Sequence, residues 1–345
     1  MNNHTTIGVD LAKNVIAVAC LSKNGKLSHS KEFSRRKFRD YLANQKPSLV
    51  AFEACATAHY WSRVARSFGH NTKILPAMSV TPFRQGHKTD ANDALAVAEA
   101  ANRPNIKEAP YKTIDQQTVQ SIQRSRDLLV SERTTLSNHV RGILLEFGFA
   151  LRQGFSALYT HIPEILEDGE NELPDGYRQT LSLLHNRLLV LREDIKLMDH
   201  QIDVQVKQHE PCSRLIALEG VGPISAVLLY SSLGTGEAFK NGREYSAYLG
   251  LTPKQYSSGG KVNLVGISRH VANKRLRSVL IQGARAYIHH AKIGASSKDQ
   301  WLLALVERAG AGKAAVALAN KNVRTAWALL TQGTEYRKTE PVLLV

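Results

Sequence analysis

Cysteine is scarce in this chain: its 345 residues include three, and they lie far apart. Cys20, Cys55 and Cys212 form neither a disulfide framework nor the spacing of a zinc site, so we expect reduced thiols with structural roles. No uninterrupted apolar run reaches the roughly 20 residues that a membrane-spanning helix needs. The first residues also lack the basic and apolar regions of a signal peptide. These absences predict a cytoplasmic protein without a membrane partner.

Acidic residues are scarcer than basic residues in this chain. The chain has 30 Asp and Glu residues against 45 Lys and Arg residues, which gives a formal net charge of +15, and its isoelectric point is about 9.7. This excess of positive charge favours nucleic acid or another anionic surface as the partner. The Gly-x-x-x-x-Gly-Lys-Ser/Thr loop of many ATPases is absent. At this length we expect two or three domains.

Four carboxylates stand out among the acidic residues that are present. Asp10 and Glu53 each end an apolar stretch typical of a buried strand. Asp90 and Asp93 lie one helical turn apart and share a helix face. A bare carboxylate is costly in such settings, and four can hold two Mg²⁺ ions about 4 Å apart for phosphoryl transfer. The alternative is that single acids are helix caps or ion-pair partners, which applies to Asp93 and to Asp90, the latter near a helix start where acids are favoured.

Residues 5–110 have the pattern of an α/β domain. Strands and helices follow the order β-β-β-α-β-α-β-α, and Asn24-Gly25 predicts a hairpin turn between the second and third strands. This order, opened by a meander of hairpins, predicts an RNase H-like fold rather than a Rossmann fold. Thr89 is the expected N-cap of a helix that reaches Ala101. The predicted strands are Ile7–Leu11, Val15–Leu21, Leu27–Phe33, Ser48–Glu53 and Thr72–Leu75.

The middle of the chain contains two long amphipathic segments. Apolar residues recur at alternating three- and four-residue steps from Val119 to Phe147 and, more regularly, from Leu181 to Ile202. The pattern leaves two interpretations open: the helices pack on each other within one chain, or they form a coiled coil that joins two chains. The predicted seam of the second helix consists of Leu181, Leu184, Leu188, Leu191, Ile195, Met198 and Ile202.

The part that begins at Cys212 contains two features suited to binding phosphate. The first is a helix-hairpin-helix element, in which Gly220 and Gly222 would present backbone N–H groups at the start of the next helix. Its alternative is a glycine turn between two core helices. The second is a dense basic cluster, which favours phosphate contacts over a merely solvated surface. The cluster consists of Arg269, His270, Lys274, Arg275 and Arg277.

The segment Ser257-Ser258-Gly259-Gly260-Lys261 is expected to be an exposed, irregular loop, since Ser and Gly hold regular structure poorly. A serine there, beside Lys261 and the basic cluster, can attack a DNA phosphodiester and form a phosphoserine link. Because that link conserves the bond energy, strands can be exchanged without an external energy source. The same composition is ordinary for a loop without a catalytic role, and chemistry alone favours this alternative.

Four motifs occur in a fixed order along the chain. They are Gly8-Val9-Asp10-Leu11-Ala12-Lys13, Phe52-Glu53-Ala54, Lys88-Thr89-Asp90-Ala91-Asn92-Asp93-Ala94, and Gly250-Leu251-Thr252-Pro253 followed by Ser257-Ser258-Gly259-Gly260-Lys261. Together they resemble the insertion sequence 110 family of DEDD transposases, to which the Piv DNA invertases are related. The neighbouring Gly266-Ile267-Ser268-Arg269 and Leu276-Arg277 fit the same family, especially its insertion sequence 1111 subgroup. The resemblance implies a RuvC-like catalytic domain over residues 1–110, a coiled-coil connector over 111–211 and a mainly α-helical transposase domain over 212–345.

The resemblance also implies roles and partners. Asp10, Glu53, Asp90 and Asp93 become the implied ligands of Mg²⁺, or of Mn²⁺ in its place. Ser258 becomes the implied nucleophile, with Ser257 adjacent. The implied reaction is recombination of donor and target DNA, guided by a structured noncoding RNA that the basic surface would bind mainly through phosphates and shape. The implied assembly is a dimer or tetramer, in which one protomer completes the active site of another.

Two other functions fit the same residues. In a RuvC-type junction-resolving endonuclease, the acids would activate water and the serines would only belong to a loop. In a non-enzymatic helix-hairpin-helix DNA-binding protein, neither the acids nor the serines would react. Substitution of Ser258 separates the recombinase from the nuclease, and substitution of Asp10 separates both enzymes from the binding protein.

Overall fold

The computed structural model describes residues 5–234, 236–268, 271, 273–291 and 296–337. Two compact units emerge, and both are discontinuous in sequence. One comprises Met1–Gln116, Ser232–Tyr248 and Leu330–Gln332, and the other Gln117–Ser231, Leu249–Leu329 and Gly333–Val345. The division of the chain at residues 110 and 211 stays a prediction about its functional domains.

The first unit is built on a mixed five-stranded sheet with the order β3-β2-β1-β4-β5. β1, β2 and β3 form an antiparallel meander, whereas β4 and β5 run parallel to β1. The predicted hairpin turn is confirmed, since Gly25 has a φ of +76° and donates to Ser22 O at 2.9 Å. The strands are β1 Thr6–Leu11, β2 Val15–Leu21, β3 Leu27–Ser34, β4 Leu49–Glu53 and β5 Asn71–Leu75.

Helices cover both faces of this sheet. On one face, Phe38 of α1 and Trp61 of α2 pack on strand residues such as Ile7, Val9 and Phe52. On the other face, α4 packs on the sheet through small and aliphatic side chains. The helices of this part are α1 Arg35–Ala43, α2 Ala58–Ser67, the short α3 Ala77–Val80, which a 3-10 turn at Thr81–Phe83 follows, and α4 Asp90–Ala101.

The rest of the described chain is mainly helical, as predicted. The long helices α5 and α7 dominate the middle, and one two-stranded hairpin interrupts the C-terminal helices. These elements are α5 Ile114–Glu146, α6 Phe155–Glu167, α7 Asp175–Gln208, α8 Glu210–Ile216, α9 Pro223–Leu233, α10 Gly242–Tyr248, β6 Pro253–Ser258, β7 Lys261–Ile267, α11 Lys274–His290, α12 Ser297–Ala309 and α13 Ala311–Gln332.

α5 and α7 pack antiparallel within one chain. Arg126 Nε lies 2.5 Å from Asp199 Oδ1, and Glu132 Oε2 lies 3.4 Å from Arg187 Nη2, so residues later in α5 meet residues earlier in α7. The two helices thus pack on each other within the chain, whereas a coiled coil that joins two chains stays a prediction. The buried seam residues of α7 are Leu181, Leu188, Leu191, Ile195 and Ile202.

In the parts of the chain that the structure describes, the helices are too short or too polar to cross a membrane.

Candidate active site

The pairing of β1 with β4 decides where Asp10 and Glu53 lie. The strands run parallel with Gly8 beside Ala51, so Asp10 and Glu53, two residues further along each strand, are neighbours too. Gly8 and Ala51 both pack on the side of the sheet that α4 covers. Because side chains alternate between the faces of a strand, Asp10 and Glu53 also lie on the α4 face.

Small residues allow α4 to lie very close to β1. A Cβ atom at Gly8 would overlap the carbonyl oxygen of Ala94 and the backbone nitrogen of Ala98. Ala17 and Ala19 of β2 pack on Ala94 as well. Glycine permits this close approach of backbones, and the start of α4 is thereby brought near the carboxyl end of β1.

The first turn of α4 carries the other two acids. Thr89 Oγ1 accepts a hydrogen bond from Asn92 N at 3.3 Å, which confirms the predicted N-cap. Asp90 and Asp93 follow within the first turn, where the helix dipole favours negative charge. The cap fixes the residue at which the helix begins, and so it fixes the position of both carboxylates relative to the sheet.

Asp10 is the electrostatic centre of this group. Burial raises the pKa of its carboxyl above the ordinary value, and the negative charges of Asp90, Asp93 and Glu53 raise it further, while a backbone hydrogen bond at Leu11 opposes the shift. Repulsion between like charges weakens with distance and is largely screened beyond about 10 Å. The structure therefore brings all four predicted acids into one electrostatic group.

Arg84 is a residue of this site that sequence reasoning missed. Its Nη1 lies 3.2 Å from Asp93 Oδ1, in a partly buried ion pair. The guanidinium offsets part of the negative charge at the start of α4. The sequence signal is a single arginine in the segment before Lys88, and such a residue is too common to be singled out.

The four acids offer only carboxylate oxygens as possible metal ligands. Within the described ranges, no three His, Cys, Asp or Glu side chains are arranged closely enough to hold a metal ion. Carboxylate oxygens are nevertheless the ligands that Mg²⁺ prefers, and a bound cation would relieve the repulsion that raises the pKa of Asp10. Glu53, Asp90 and Asp93 are the other carboxylates that would bind this cation with Asp10. Asp93 would then give up its ion pair with Arg84.

The two serines lie on a regular β-hairpin, so the expected irregular loop is wrong, whereas the expected exposure of both serines is confirmed. Gly259 and Gly260 connect β6 to β7 with φ values of +55° and +78°. Positive φ at both positions of a two-residue turn matches the twist of a hairpin, and glycine adopts it without strain. Ser258 consequently sits on the last pair of residues before the turn, opposite Lys261.

The register of this hairpin places the two serines on opposite faces, because successive side chains of a strand alternate. The Ser258 face carries Lys254, Tyr256, Ser258, Lys261, Asn263 and Val265. The Ser257 face carries Gln255, Ser257, Val262 and Leu264. Ser257 Oγ accepts a hydrogen bond from Gln255 Nε2 at 2.8 Å. The Ser258 face is thus the basic one.

Packing explains one glycine of the predicted helix-hairpin-helix element. Gly220 has a φ of +77°, and a Cβ atom there would collide with the backbone of Gly283 in α11. Gly222, just before α9, is exposed and faces open space in the described part of the chain. Gly220 therefore has a structural reason to be glycine. Phosphate binding at this turn stays a prediction, and Gly222 is the better placed of the two.

A buried polar network anchors the same turn. The Glu219 carboxylate pairs with Lys298 of α12 and accepts a hydrogen bond from the Tyr336 hydroxyl at 3.0 Å, and the Glu219 and Lys298 side chains are both buried. Asn322 of α13 donates to Glu219 O at 2.7 Å. Breaking a buried ion pair costs about 3–5 kcal/mol, so the turn is held in one position.

Much of the predicted basic cluster makes contacts within the chain. Arg275 donates two hydrogen bonds to Asp127 of α5, at 2.7 and 2.6 Å. Arg277 donates to the carbonyl oxygens of Ser268 and Gly250. Arg275 and Arg277 thus stabilise the fold through contacts within the chain, a role that the sequence did not indicate. Lys261 and Lys274 are exposed, and Arg269 and His270 lie outside the described residues.

Comparisons with known proteins agree on one family. Residues 7–149 match the model of the DEDD domain of IS110 transposases, and residues 212–300 match the model described as transposase IS116/IS110/IS902 family. A probable family 20 transposase of Pseudomonas aeruginosa is 40% identical over 97% of this chain and 99% of its own length. The transposase for insertion sequence element IS1111A of Coxiella burnetii is 37% identical over 98% and 92%. The pilin gene-inverting protein of Moraxella bovis is a distant relative, 20% identical over 81% and 82%.

Proposed function

Because the chain belongs to the IS116/IS110/IS902 family of transposases, we propose that it exchanges DNA strands through a carboxylate–metal site and a serine nucleophile. The convergence of four carboxylates on the α4 face carries this proposal. The strand order β3-β2-β1-β4-β5 supports an RNase H-like interpretation of the sheet domain. The net charge of +15 suits a phosphate backbone as substrate.

The four acids are proposed to hold two Mg²⁺ ions, or Mn²⁺ in their place. When bound, such ions supply positive charge at the attacking and leaving oxygens of a phosphoryl transfer. Asp10 and Glu53 would ligate from the rigid ends of two paired strands, and Asp90 and Asp93 from a capped helix turn. Ligands on such elements keep their geometry, which a catalytic site requires.

The serine is proposed to make the reaction a transfer rather than a hydrolysis. The serine Oγ attacks the phosphorus, a P–O bond to the serine forms, and the P–O bond to one DNA sugar breaks. The serine hydroxyl loses its proton, and the departing sugar oxygen gains one. The number of phosphate ester bonds is unchanged, so a second DNA hydroxyl can reverse the step on a new strand.

Ser258 is a better candidate than Ser257 on the basis of the hairpin register. Ser258 shares its face with Lys254 and Lys261, which are suited to a phosphate backbone. Ser257 instead accepts a hydrogen bond from Gln255 and lies beside exposed Val262. A DNA strand that contacts the basic face would therefore meet Ser258 first.

The proposal is tested by trapping the covalent intermediate. Protein and labelled DNA that carries an element end are incubated with Mg²⁺, and adducts are separated on a denaturing gel. We expect Ser258→Ala to lose the adduct and Ser257→Ala to keep it within a few-fold. We also expect Asp10→Ala to lose the adduct while still binding the DNA.

Each competing function predicts a different pattern of adducts and cleavage products on the gel. An adduct that survives in Ser258→Ala and disappears in Ser257→Ala would move the nucleophile to the neighbouring serine. Cleaved DNA without any adduct would indicate the endonuclease, in which water attacks. Unchanged DNA processing in Asp10→Ala would remove the acids from the chemistry altogether.

The partners are proposed to include donor and target DNA, a structured guide RNA and further copies of the chain. The basic charge supports nucleic acid in general, and the family supports DNA as substrate. The apolar residues Leu183, Val190 and Leu197 support an oligomer, since they repeat every seven residues on α7 and each is about half exposed or more. The residues of this stripe differ from the buried seam residues of α7, and in the described part of the chain they are exposed to contact with a second copy.

A further inference from the structure

Tyr256 is an exposed aromatic side chain on the Ser258 face of the hairpin. Its side chain is 59% exposed, and its partner across the ladder is Asn263, which is also exposed. An exposed ring opposite an exposed residue buries little apolar area and so adds little to stability, and the neighbouring Gln255 and Ser257 show that polar residues are accepted in this strand. A large ring that faces solvent here is better explained by a partner than by folding.

We propose that Tyr256 is a stacking site for a nucleobase, and that it holds one DNA strand beside the phosphate that Ser258 attacks. This inference rests on the proposed function, because it takes Ser258 as the nucleophile. It adds a positioning residue to that reaction and makes the Ser258 face a binding surface for a single DNA strand.

The spacing on the strand suits this role. Tyr256 and Ser258 are two residues apart on one face, which corresponds to roughly 7 Å. A ring at that distance can stack on the base of a nucleotide adjacent to the scissile phosphate. Stacking accepts any base, since every base has a π-face, so Tyr256 would fix the position of the strand without reading its sequence.

Charge supports a nucleic acid strand as the occupant. Lys254 and Lys261 lie on the same face, on either side of Tyr256 along the hairpin. The whole segment Pro253–Ile267 contains no acidic residue. A backbone phosphate on each side of a stacked base would therefore meet a lysine. DNA is favoured over RNA because the serine that cuts DNA lies on this face.

The opposite face gives a matched control. Leu264 is 64% exposed and lies on the Ser257 face, one ladder pair away from Tyr256. Substitution of Leu264 perturbs the same hairpin to a similar degree. It removes apolar area from the face that is not expected to hold the strand.

The test uses the full chain with Ser258→Ala, so that binding is measured without the covalent step. A mixed-sequence single-stranded DNA with photoreactive halogenated uracils is irradiated with the protein, and mass spectrometry identifies the crosslinked residue. We expect the crosslink at Tyr256, its retention in Tyr256→Phe and Leu264→Ala, and its loss in Tyr256→Ala. In the chain with Ser258 intact, we expect Tyr256→Ala to lower the rate of adduct formation on the order of ten-fold.

The outcomes separate this inference from the proposed function. Crosslinks at other residues, or at Tyr256 with RNA and not with DNA, would overturn the stacking site. So would a Ser258-dependent adduct that forms at an unchanged rate in Tyr256→Ala. If Ser258 were not the nucleophile, the adduct would either persist in Ser258→Ala or not form in any variant, whatever residue the DNA crosslinks to.

Discussion

At the scale of single residues, Asp10 lowers the stability of the folded protein and is also proposed to act in catalysis. Burial and the charges of Asp90, Asp93 and Glu53 raise the pKa of its carboxyl, so its ionised form destabilises the folded protein. Because the pKa of Asp10 is raised in the folded state, the stability that its protonated carboxyl contributes is complete below the pKa of Asp10 in the unfolded chain. That contribution is lost as pH rises through the pKa of the folded state.

Asp10→Asn is therefore expected to stabilise the metal-free protein at neutral pH, and to do so less as the pH approaches about 4. The substitution removes the ionised carboxylate and keeps its shape. Mg²⁺ should raise the Tm of the original protein by binding the folded state, and should do so much less in the variant. Strand exchange should fall by more than about a hundred-fold. Thermal unfolding at neutral and acidic pH, with and without Mg²⁺, measures the changes in stability and in the response of the Tm to Mg²⁺.

Asp203→Asn is a suitable control for this experiment, because Asp203 is an exposed aspartate of α7. It should leave the Mg²⁺ dependence of the Tm unchanged. A Tm in Asp10→Asn that falls at neutral pH, or that responds to Mg²⁺ as before, would contradict the proposed role of Asp10.

At the scale of elements, the contact between β1 and α4 assembles the carboxylate group. Gly8→Ala would place a methyl group against Ala94 and Ala98, and overpacking of this kind costs about 1–3 kcal/mol. The helix must shift away from the strand, and Asp90 and Asp93 must move with it. We expect a lower Tm and weaker stabilisation by Mg²⁺, both measured by thermal unfolding.

Gly142→Ala is the matched control for this element. Gly142 lies in α5, and an added Cβ there meets open space in the described structure. The same chemical change should therefore stabilise the protein by about 0.5–1 kcal/mol, through helix propensity alone. Equal effects of the two alanines would show that the close contact at Gly8 does not position α4.

At the scale of the whole molecule, assembly and RNA binding can be measured together. We expect the purified protein to elute as a dimer or larger species, with an ultraviolet absorbance ratio that indicates bound RNA. Replacing Leu183, Val190 and Leu197 by glutamine should reduce the mass from light scattering to one protomer and leave the RNA signal in place. The seam against α5 is untouched, so the fold should persist.

The control for the α7 stripe replaces exposed apolar residues elsewhere, namely Leu27 and Met78. That double variant should keep the mass of the original protein. An original protein that elutes as a single protomer would contradict the proposed oligomer. An absorbance ratio typical of pure protein, with no RNA extracted, would count against guidance by RNA.

Local sequence was sufficient to predict the strands of the sheet and the start of α4. Alternation of apolar residues and the Asn24-Gly25 turn predicted the strands of the sheet, and Thr89 predicted the start of α4. Such signals are local, because they depend on periodicity, capping and turn geometry. The failure at the Ser-Gly segment is also local, since paired glycines favour a tight hairpin turn as well as an irregular loop.

The sequence by itself determined four carboxylates, a serine pair and the motifs of a transposase family. Only the tertiary structure decided which of these groups meet. Strand register put Asp10 and Glu53 on the α4 face, contact at Gly8 brought Asp90 and Asp93 to them, and Arg84 joined through space. The hairpin register separated Ser258 from Ser257. The physical reason is that register and helix packing depend on residues distant in the chain, whereas the pattern of one segment is fixed by its neighbours.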